Sequence, residues 1–244
     1  MELAVTLALL FLAAAVLFSS VGHGGASAYL AIMALAGVEP LVMRPTALLL
    51  NVFVASLGVV RFARAGQLPL RSLLPLLVGS VPLAFLGGTI VLPATFYKVL
   101  VGAALLLAAI QLWRTAAHGR EAELAVPRVA AIVVGGLVGL LAGLTGTGGG
   151  IFLTPLLLLL GWSPVRPAAG LSAGFILANS LAGLAGNVSA VGVVPSALAL
   201  WIPAVVVGAL LGTELGVRRL RPATLRRALA LVLVVAGLKL ILLG

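Results

Sequence analysis

The 244-residue chain has no cysteine, five acidic residues and two histidines. Without cysteine there are no disulfides and no thiolate chemistry, and the redox compartment is left undetermined. So few acids cannot build the carboxylate clusters that hold metals or organic cations, and no intramembrane carboxylate pair is available for acid–base catalysis. Glu214 is the main acidic candidate within an apolar segment, and Arg218, one helical turn later, is placed to neutralise it. Walker and HExxH motifs are also missing, and the GxSxG string Gly170-Leu171-Ser172-Ala173-Gly174 lies inside an apolar segment rather than at a strand-to-helix nucleophile elbow, which argues against ATP hydrolysis, metalloprotease chemistry and an activated serine. No catalytic residue, metal site or cofactor is expected.

What the chain does contain is apolar. Hydrophobic residues make up 63% of it, charged residues 8%, and the mean hydropathy is +1.32. A soluble domain of this length cannot hide so much apolar surface. The runs are solidly apolar rather than alternating, which excludes a porin-like barrel. The chain therefore reads as an all-α polytopic membrane protein. Its opening, MELAVTLALLFLAAAVLF, has no basic n-region, so it is expected to be a retained first helix rather than a signal peptide. The net charge of +10 is not interleaved with aromatic residues, so it points to topology-setting loops rather than to nucleic acid.

Apolar windows predict ten segments, at residues 3–21, 26–37, 44–63, 70–92, 95–115, 128–145, 150–161, 167–187, 195–216 and 222–243. The order long, short, long, long, long occurs twice, and motifs recur with it. Gly22-His23-Gly24-Gly25 precedes the first short segment, and Gly146-Thr147-Gly148-Gly149 precedes the second, 124 residues later. Arg44-Pro45 and Arg166-Pro167 open the third segment of each half. These features predict an internal duplication, with repeats at 1–116 and 128–244, joined by a polar cytoplasmic linker at 117–127 within one integrated membrane domain. The short segments, at roughly 18 Å, fall well below the ~30 Å hydrocarbon core and read as half-helices, either re-entrant or parts of broken spanning pairs. In both cases each repeat crosses the membrane an odd number of times, so the second is inverted relative to the first.

Charge gives the same sign independently. The loop after the third segment carries Arg61, Arg64 and Arg71, whereas its counterpart around GNVSAVGVV is uncharged. Conversely, Leu92-Pro93-Ala94 is uncharged and its counterpart reads RRLRPATLRR. Basic loops on the cytoplasmic side leave only Arg44, Lys98 and Lys239 of the fifteen Lys and Arg outside, and turn both termini outward.

Inverted repeats built around discontinuous helices are the arrangement of alternating-access transporters. The two glycine breaks would meet near the midplane and aim two half-helix N-termini into one space. First-turn amides and the positive ends of helix dipoles favour a small anion there, and glycine lets the backbone approach it. The expected substrate-binding set is Gly22, His23, Gly24, Gly25 and Ser27 at the first break and Gly146, Thr147, Gly148, Gly149 and Gly150 at the second. Asn51 and Asn179, on the third segments, are placed to line the cavity. Glycine in membrane helices otherwise signals close packing; its matched positions before two short segments favour a site.

The stretches GHGGASAYLAIMALAGV and GTGGGIFLTPLLLLLGW, their duplication and the RP-started helices after them resemble the sulfite exporter TauE/SafE family of membrane transporters over essentially the whole chain. The resemblance implies a secondary transporter, working in export, of sulfur-containing anions such as sulfite, thiosulfate or sulfonates, in a prokaryotic cytoplasmic membrane. The sulfur comes from the resemblance alone; composition and topology point only to a small anion. His23 and Ala26 stand where the second break has Thr147 and Gly150, so the two tips are not expected to be equivalent.

Other polar positions have two readings each. His23 either contacts the anion, carries a coupling proton or satisfies hairpin backbone. Thr147 either donates to the anion or caps the half-helix. Arg44 and Arg166 either form a matched electrostatic gate or snorkel to headgroups. Ser56, Ser172 and Ser180 either line the cavity or bond between helices. Trp113, Trp162 and Trp201 fit interfacial anchoring. A passive anion channel using the same tips competes with the transporter reading, as does a membrane scaffold, which leaves the matched tips unexplained. The expected partners are a small oxyanion and the lipid bilayer; the oligomeric state is not set by any feature of the sequence.

Overall fold

The structure is a computed structural model that describes residues 2–20, 24–115, 125–187, 194–218 and 222–242. Among the described residues there are ten helices and no strand: α1 (Glu2–Ser20), α2 (Ala26–Leu35), α3 (Pro40–Arg64), α4 (Leu70–Thr89), α5 (Ala94–Thr115), α6 (Arg128–Thr145), α7 (Gly150–Leu159), α8 (Val165–Gly186), α9 (Leu198–Arg218) and α10 (Pro222–Leu242). Helices α1, α3, α4, α6 and α8 are long and apolar enough to cross a membrane. The chain is an all-α, multi-pass membrane protein.

The start of helix α3 departs furthest from its apolar window. Helix α3 begins at Pro40 rather than at Arg44, because Glu39 is extended and Pro40 takes the first helical position, where its missing N–H costs nothing. Arg44 and Pro45 therefore sit inside a 25-residue helix instead of opening it. Helix α8 starts at Val165, after Pro164, and keeps Arg166 in its first turn.

Helices α2 and α7 are ten residues each, about 15 Å, or half a bilayer core. They stop in the same way. Gly37 has φ +75° and lets the Val38 amide reach back to the Met33 carbonyl at 2.9 Å; Gly161 has φ +66° and lets the Trp162 amide reach the Leu157 carbonyl at 2.9 Å. This closure satisfies carbonyls that a helix end otherwise leaves bare inside an apolar medium.

The longer helices are zipped through glycine. Along α4 and α6 the close approaches ascend together: a Cβ at Gly139 would fall 2.6 Å from the Cα of Ser80, and one at Gly143 3.0 Å from the Cα of Ala84. The two helices are therefore parallel, with backbones touching. Helices α1 and α9 are parallel in the same manner, Gly208 lying against Leu12 and Gly212 against Val16. Helices α5 and α10 run antiparallel, Gly102 against Ile241 and Gly237 against Leu106, as do α3 and α8. Lipid tails give helices no hydrophobic reason to associate, so such backbone-to-backbone packing is what holds them. Exchanging the two halves carries the α4/α6 pair onto α9/α1 and leaves α3/α8 and α5/α10 paired with themselves.

Two of the three basic residues set apart from the basic loops act as helix caps. Lys239 of α10 donates to the carbonyls of Ala34 at 3.0 Å and Leu35 at 2.6 Å, at the end of α2. Arg44 donates to Gly87 at 2.6 Å, Gly88 at 2.5 Å and Ile90 at 2.9 Å, at the end of α4. Each cation meets the negative end of a helix dipole and its orphan carbonyls. Trp201 departs from the interfacial expectation. It is 3% exposed, stacks edge-on against Phe11 with centroids 5.2 Å apart, and donates to the Ala4 carbonyl at 2.9 Å. The parallel pairing of α1 with α9 draws its ring inward and supplies the indole with an acceptor.

Candidate functional site

Asn51 sits halfway along α3 and is fully buried. Its Oδ1 accepts a hydrogen bond from the Ala26 amide, the first amide of α2, at 3.1 Å. Its Nδ2 donates to the carbonyl of Thr147, in the second glycine break, at 3.2 Å. A single carboxamide thus joins the two breaks, which are separated by more than a hundred residues of sequence. Gly24 and Gly148 flank it: a Cβ at Gly24 would lie 2.9 Å from Asn51 Oδ1, and a Cβ at Gly148 2.5 Å from Asn51 Nδ2. Ile176 of α8 touches both glycines from the opposite side. Helices α2 and α7 begin here and lead away to opposite ends of the bundle.

The second break is shaped by backbone conformation. Gly146, Gly148 and Gly149 have φ of +82°, +71° and +82°. Only glycine enters that region without cost, and three such residues within four positions turn the chain from the end of α6 into the start of α7. By construction, the first-turn amides of α7, at Gly150 and Ile151, lack intrahelical acceptors. Thr147 is buried, with its hydroxyl 2.9 Å from that of Thr145, which in turn donates to the Leu141 carbonyl at 2.6 Å. Tyr97 of α5 secures the break from outside by donating to the Thr145 carbonyl at 3.0 Å.

The first break is described from Gly24 onward; Gly22 and His23 lie outside the described residues. Gly25 caps α2 in an ordinary right-handed conformation, φ −91°. What keeps it glycine is space, because the phenol of Tyr29 lies where its Cβ would be. Tyr29 is fully buried, stacked edge-on by Phe11, and its hydroxyl has no hydrogen-bond partner among the described residues. The hydroxyl of Ser27, on the same turn, is buried and unpartnered too. Beside the second break, the Ser180 hydroxyl is likewise buried without a partner, 2.9 Å from where a Gly148 Cβ would stand. Buried hydroxyls are normally satisfied; among the described residues these three lack partners near the two helix N-termini, as those of Thr46 and Ser80 do elsewhere.

The other expected residues divide. Asn179 is buried in the second half of α8, but its Nδ2 bonds back to the Phe175 carbonyl at 2.8 Å and its Oδ1 has no partner among the described residues. Ser172 pairs with Thr154 at 2.5 Å, joining α7 to α8, and Ser56 bonds its own helix at Val52 at 2.7 Å. Arg44 packs its stem against Gly146 but turns its guanidinium to α4, leaving Nε without a partner among the described residues. Arg166 is exposed. The matched arginines thus occupy different surroundings. The side chains of Glu214 and Arg218 lie outside the described ones. Tyr29 and Tyr97 carry no signal in the sequence beyond being its only tyrosines, since an aromatic residue in an apolar helix reads as core.

A bundle of apolar spans with two ten-residue helices beginning beside one buried carboxamide defines a multi-pass membrane protein. Comparison with known proteins narrows the class: residues 7–240 match the family described as sulfite exporter TauE/SafE, and the chain belongs to that family. It is 36% identical over 242 residues to "Probable membrane transporter protein y4hK" of Sinorhizobium fredii, with 98% of each chain covered. No solved structure matches the chain.

Proposed function

We propose that the chain is a secondary transporter that moves small sulfur-containing oxyanions, such as sulfite, thiosulfate or a sulfonate like sulfoacetate, by alternating access. The observation that carries this reading is the double hydrogen bond of Asn51. It holds the first amide of α2 and the turn before α7 at one point, so that two half-helix N-termini look onto the same small volume. A helix N-terminus is a ready anion site, and two of them add their dipoles. In this reading an anion oxygen competes with the Asn51 carboxamide oxygen for the Ala26 amide. Tyr29, Ser27 and Ser180 supply neutral donors within the same region, joining Gly24, Gly25, Thr147, Gly148, Gly149 and Gly150. The family supports sulfur as the central atom, and export as the direction.

The inverted repeat belongs to the same proposal. It is supported by the matched ends of α2 and α7 and by the exchange of helix pairs between the two halves. With basic loops inside, α2 opens toward the outer face and α7 toward the inner one, in a cytoplasmic membrane with both termini outside. His23, next to Gly24, is the proposed coupling group, because an imidazole titrates near physiological pH.

Flux into proteoliposomes tests the reading directly. Uptake of sulfite, thiosulfate or sulfoacetate should saturate and respond to an imposed pH gradient. Flux that never saturates and ignores pH would make the protein a passive channel. His23→Gln should flatten the pH dependence while leaving binding measurable; an unchanged profile removes His23 from coupling.

A further inference from the structure

Beside Gly24 lies a cavity of about 20 Å³, room for roughly one water. Gly24 and Ile176 line it near the tip, and Phe62 and Thr213 line it toward the other end of α3, with Ala55 on its wall. The α3 residues that line it run from Val54 to Phe62, about 12 Å of that helix toward its arginine-bearing end. The cavity is apolar except at two points. Ser19, at the end of α1, is 7% exposed, and its hydroxyl has no partner among the described residues. Thr213 of α9 donates to the Ala209 carbonyl of its own helix at 2.7 Å and accepts a hydrogen bond from Arg61 Nη1 of α3.

We propose that this cavity is the collapsed limb of the substrate path on the Arg61 side. Arg61 is then the specificity-determining cation at its mouth, latched to Thr213 while the limb is shut. The proposal rests on the anion-transport reading given above. A guanidinium on a neutral hydroxyl is underused: it presents a planar fork of donors that fits two oxygens of an oxyanion, and charge-assisted hydrogen bonds are about twice as strong as neutral ones. An arriving oxyanion therefore displaces Thr213 from Arg61. Losing that bond unties α9 from α3, Phe62 swings aside, and the path widens. Beyond it the Ser19 hydroxyl offers the next donor, and the Gly24 tip the last. Cations meet the same arginine as a barrier, so selectivity is set before the glycine site is reached.

The absence of cysteine makes this measurable, since Ala55→Cys introduces the sole thiol of the chain. In proteoliposomes of known orientation, a membrane-impermeant methanethiosulfonate should label it from the Arg61 side only, and slowly. Thr213→Val removes the latch and should speed labelling several-fold, whereas Thr213→Ser keeps the hydroxyl and the slow rate. Arg61→Gln should lower sulfite flux at sub-saturating concentration about tenfold, the lower end of electrostatic steering, and Arg61→Lys should restore most of it. A thiol at position 55 that is never labelled overturns the limb, and labelling unchanged by Thr213→Val overturns the latch. Equal flux in Arg61→Gln and the parent chain removes Arg61 from selectivity. If no sulfur oxyanion is carried at all while the labelling pattern holds, the substrate reading fails and the limb stands.

Discussion

The two glycine breaks do one job by different physical means. At the second, Gly146, Gly148 and Gly149 hold left-handed conformations, so the backbone itself demands glycine. At the first, Gly25 is in an ordinary helical region, and the demand comes from neighbours: the Tyr29 ring over Gly25, Asn51 and Ile176 over Gly24. A break forced by conformation cannot relax when a side chain is added. A break forced by space can, if the neighbour moves. At the described residues, the second tip is thus the rigid half of the proposed site, and Gly24 and Gly25 of the first are the adjustable half, which suits the proposed path beside Gly24.

The largest effect should come from Gly148→Val. A β-branched residue at φ +71° costs about 1–2 kcal/mol in backbone strain, and its Cβ would fall 2.5 Å from Asn51 Nδ2 and 2.9 Å from Ser180 Oγ. Anion binding should vanish while folded protein remains in the membrane. A sulfite-dependent thermal shift that survives the substitution sinks the tip site. Next comes Asn51→Leu, which keeps the volume and strands the Ala26 amide and the Thr147 carbonyl, each at about 1–3 kcal/mol. Both melting temperature and affinity should fall. Asn51→Asp should keep the Ala26 bond but face the Thr147 carbonyl and the incoming anion with negative charge. It should therefore lose affinity more completely than stability, and parallel losses would mean that Asn51 is only structural.

The comparison of tips is sharpened by alanine. Gly24→Ala must shift Asn51 Oδ1 from 2.9 Å and Ile176 from 3.2 Å, both side-chain atoms, whereas Gly148→Ala meets similar crowding and adds the left-handed penalty. The second should be worse by roughly 1 kcal/mol in unfolding or binding. Equal effects would erase the distinction between a rigid and an adjustable tip.

Much of this was legible in the sequence because hydropathy and glycine act locally. Apolar windows found the ten helices of the described residues, and the spacing of 124 residues located the two short ones. Partner choice was not legible. Asn51 and Asn179 look alike on the page, yet one bridges two breaks while the other bonds its own helix at Phe175, because only tertiary packing decides which carbonyl is near. Arg44 and Arg166 repeat in sequence and diverge in surroundings for the same reason. Glycine positions fared better, since a required conformation or a contacting backbone leaves no alternative residue.

Lys239 gives the smallest expected effect and a finer test of the two halves. Helix α2 ends at an exposed position, and its last carbonyls at Ala34 and Leu35 are met by an ammonium brought from α10. Lys239→Met keeps the stem and removes the donor, so those carbonyls lose a charge-assisted bond near a partly exposed helix end. The dipole contribution at such sites is about 0.3–1 kcal/mol, screened by salt. Melting should fall slightly and anion affinity hardly at all, because the cap lies at the end of α2 remote from the Ala26 amide. If affinity falls as much as stability does, the half-helix transmits strain along its ten residues, and the first tip is set from α10 as well as from Asn51.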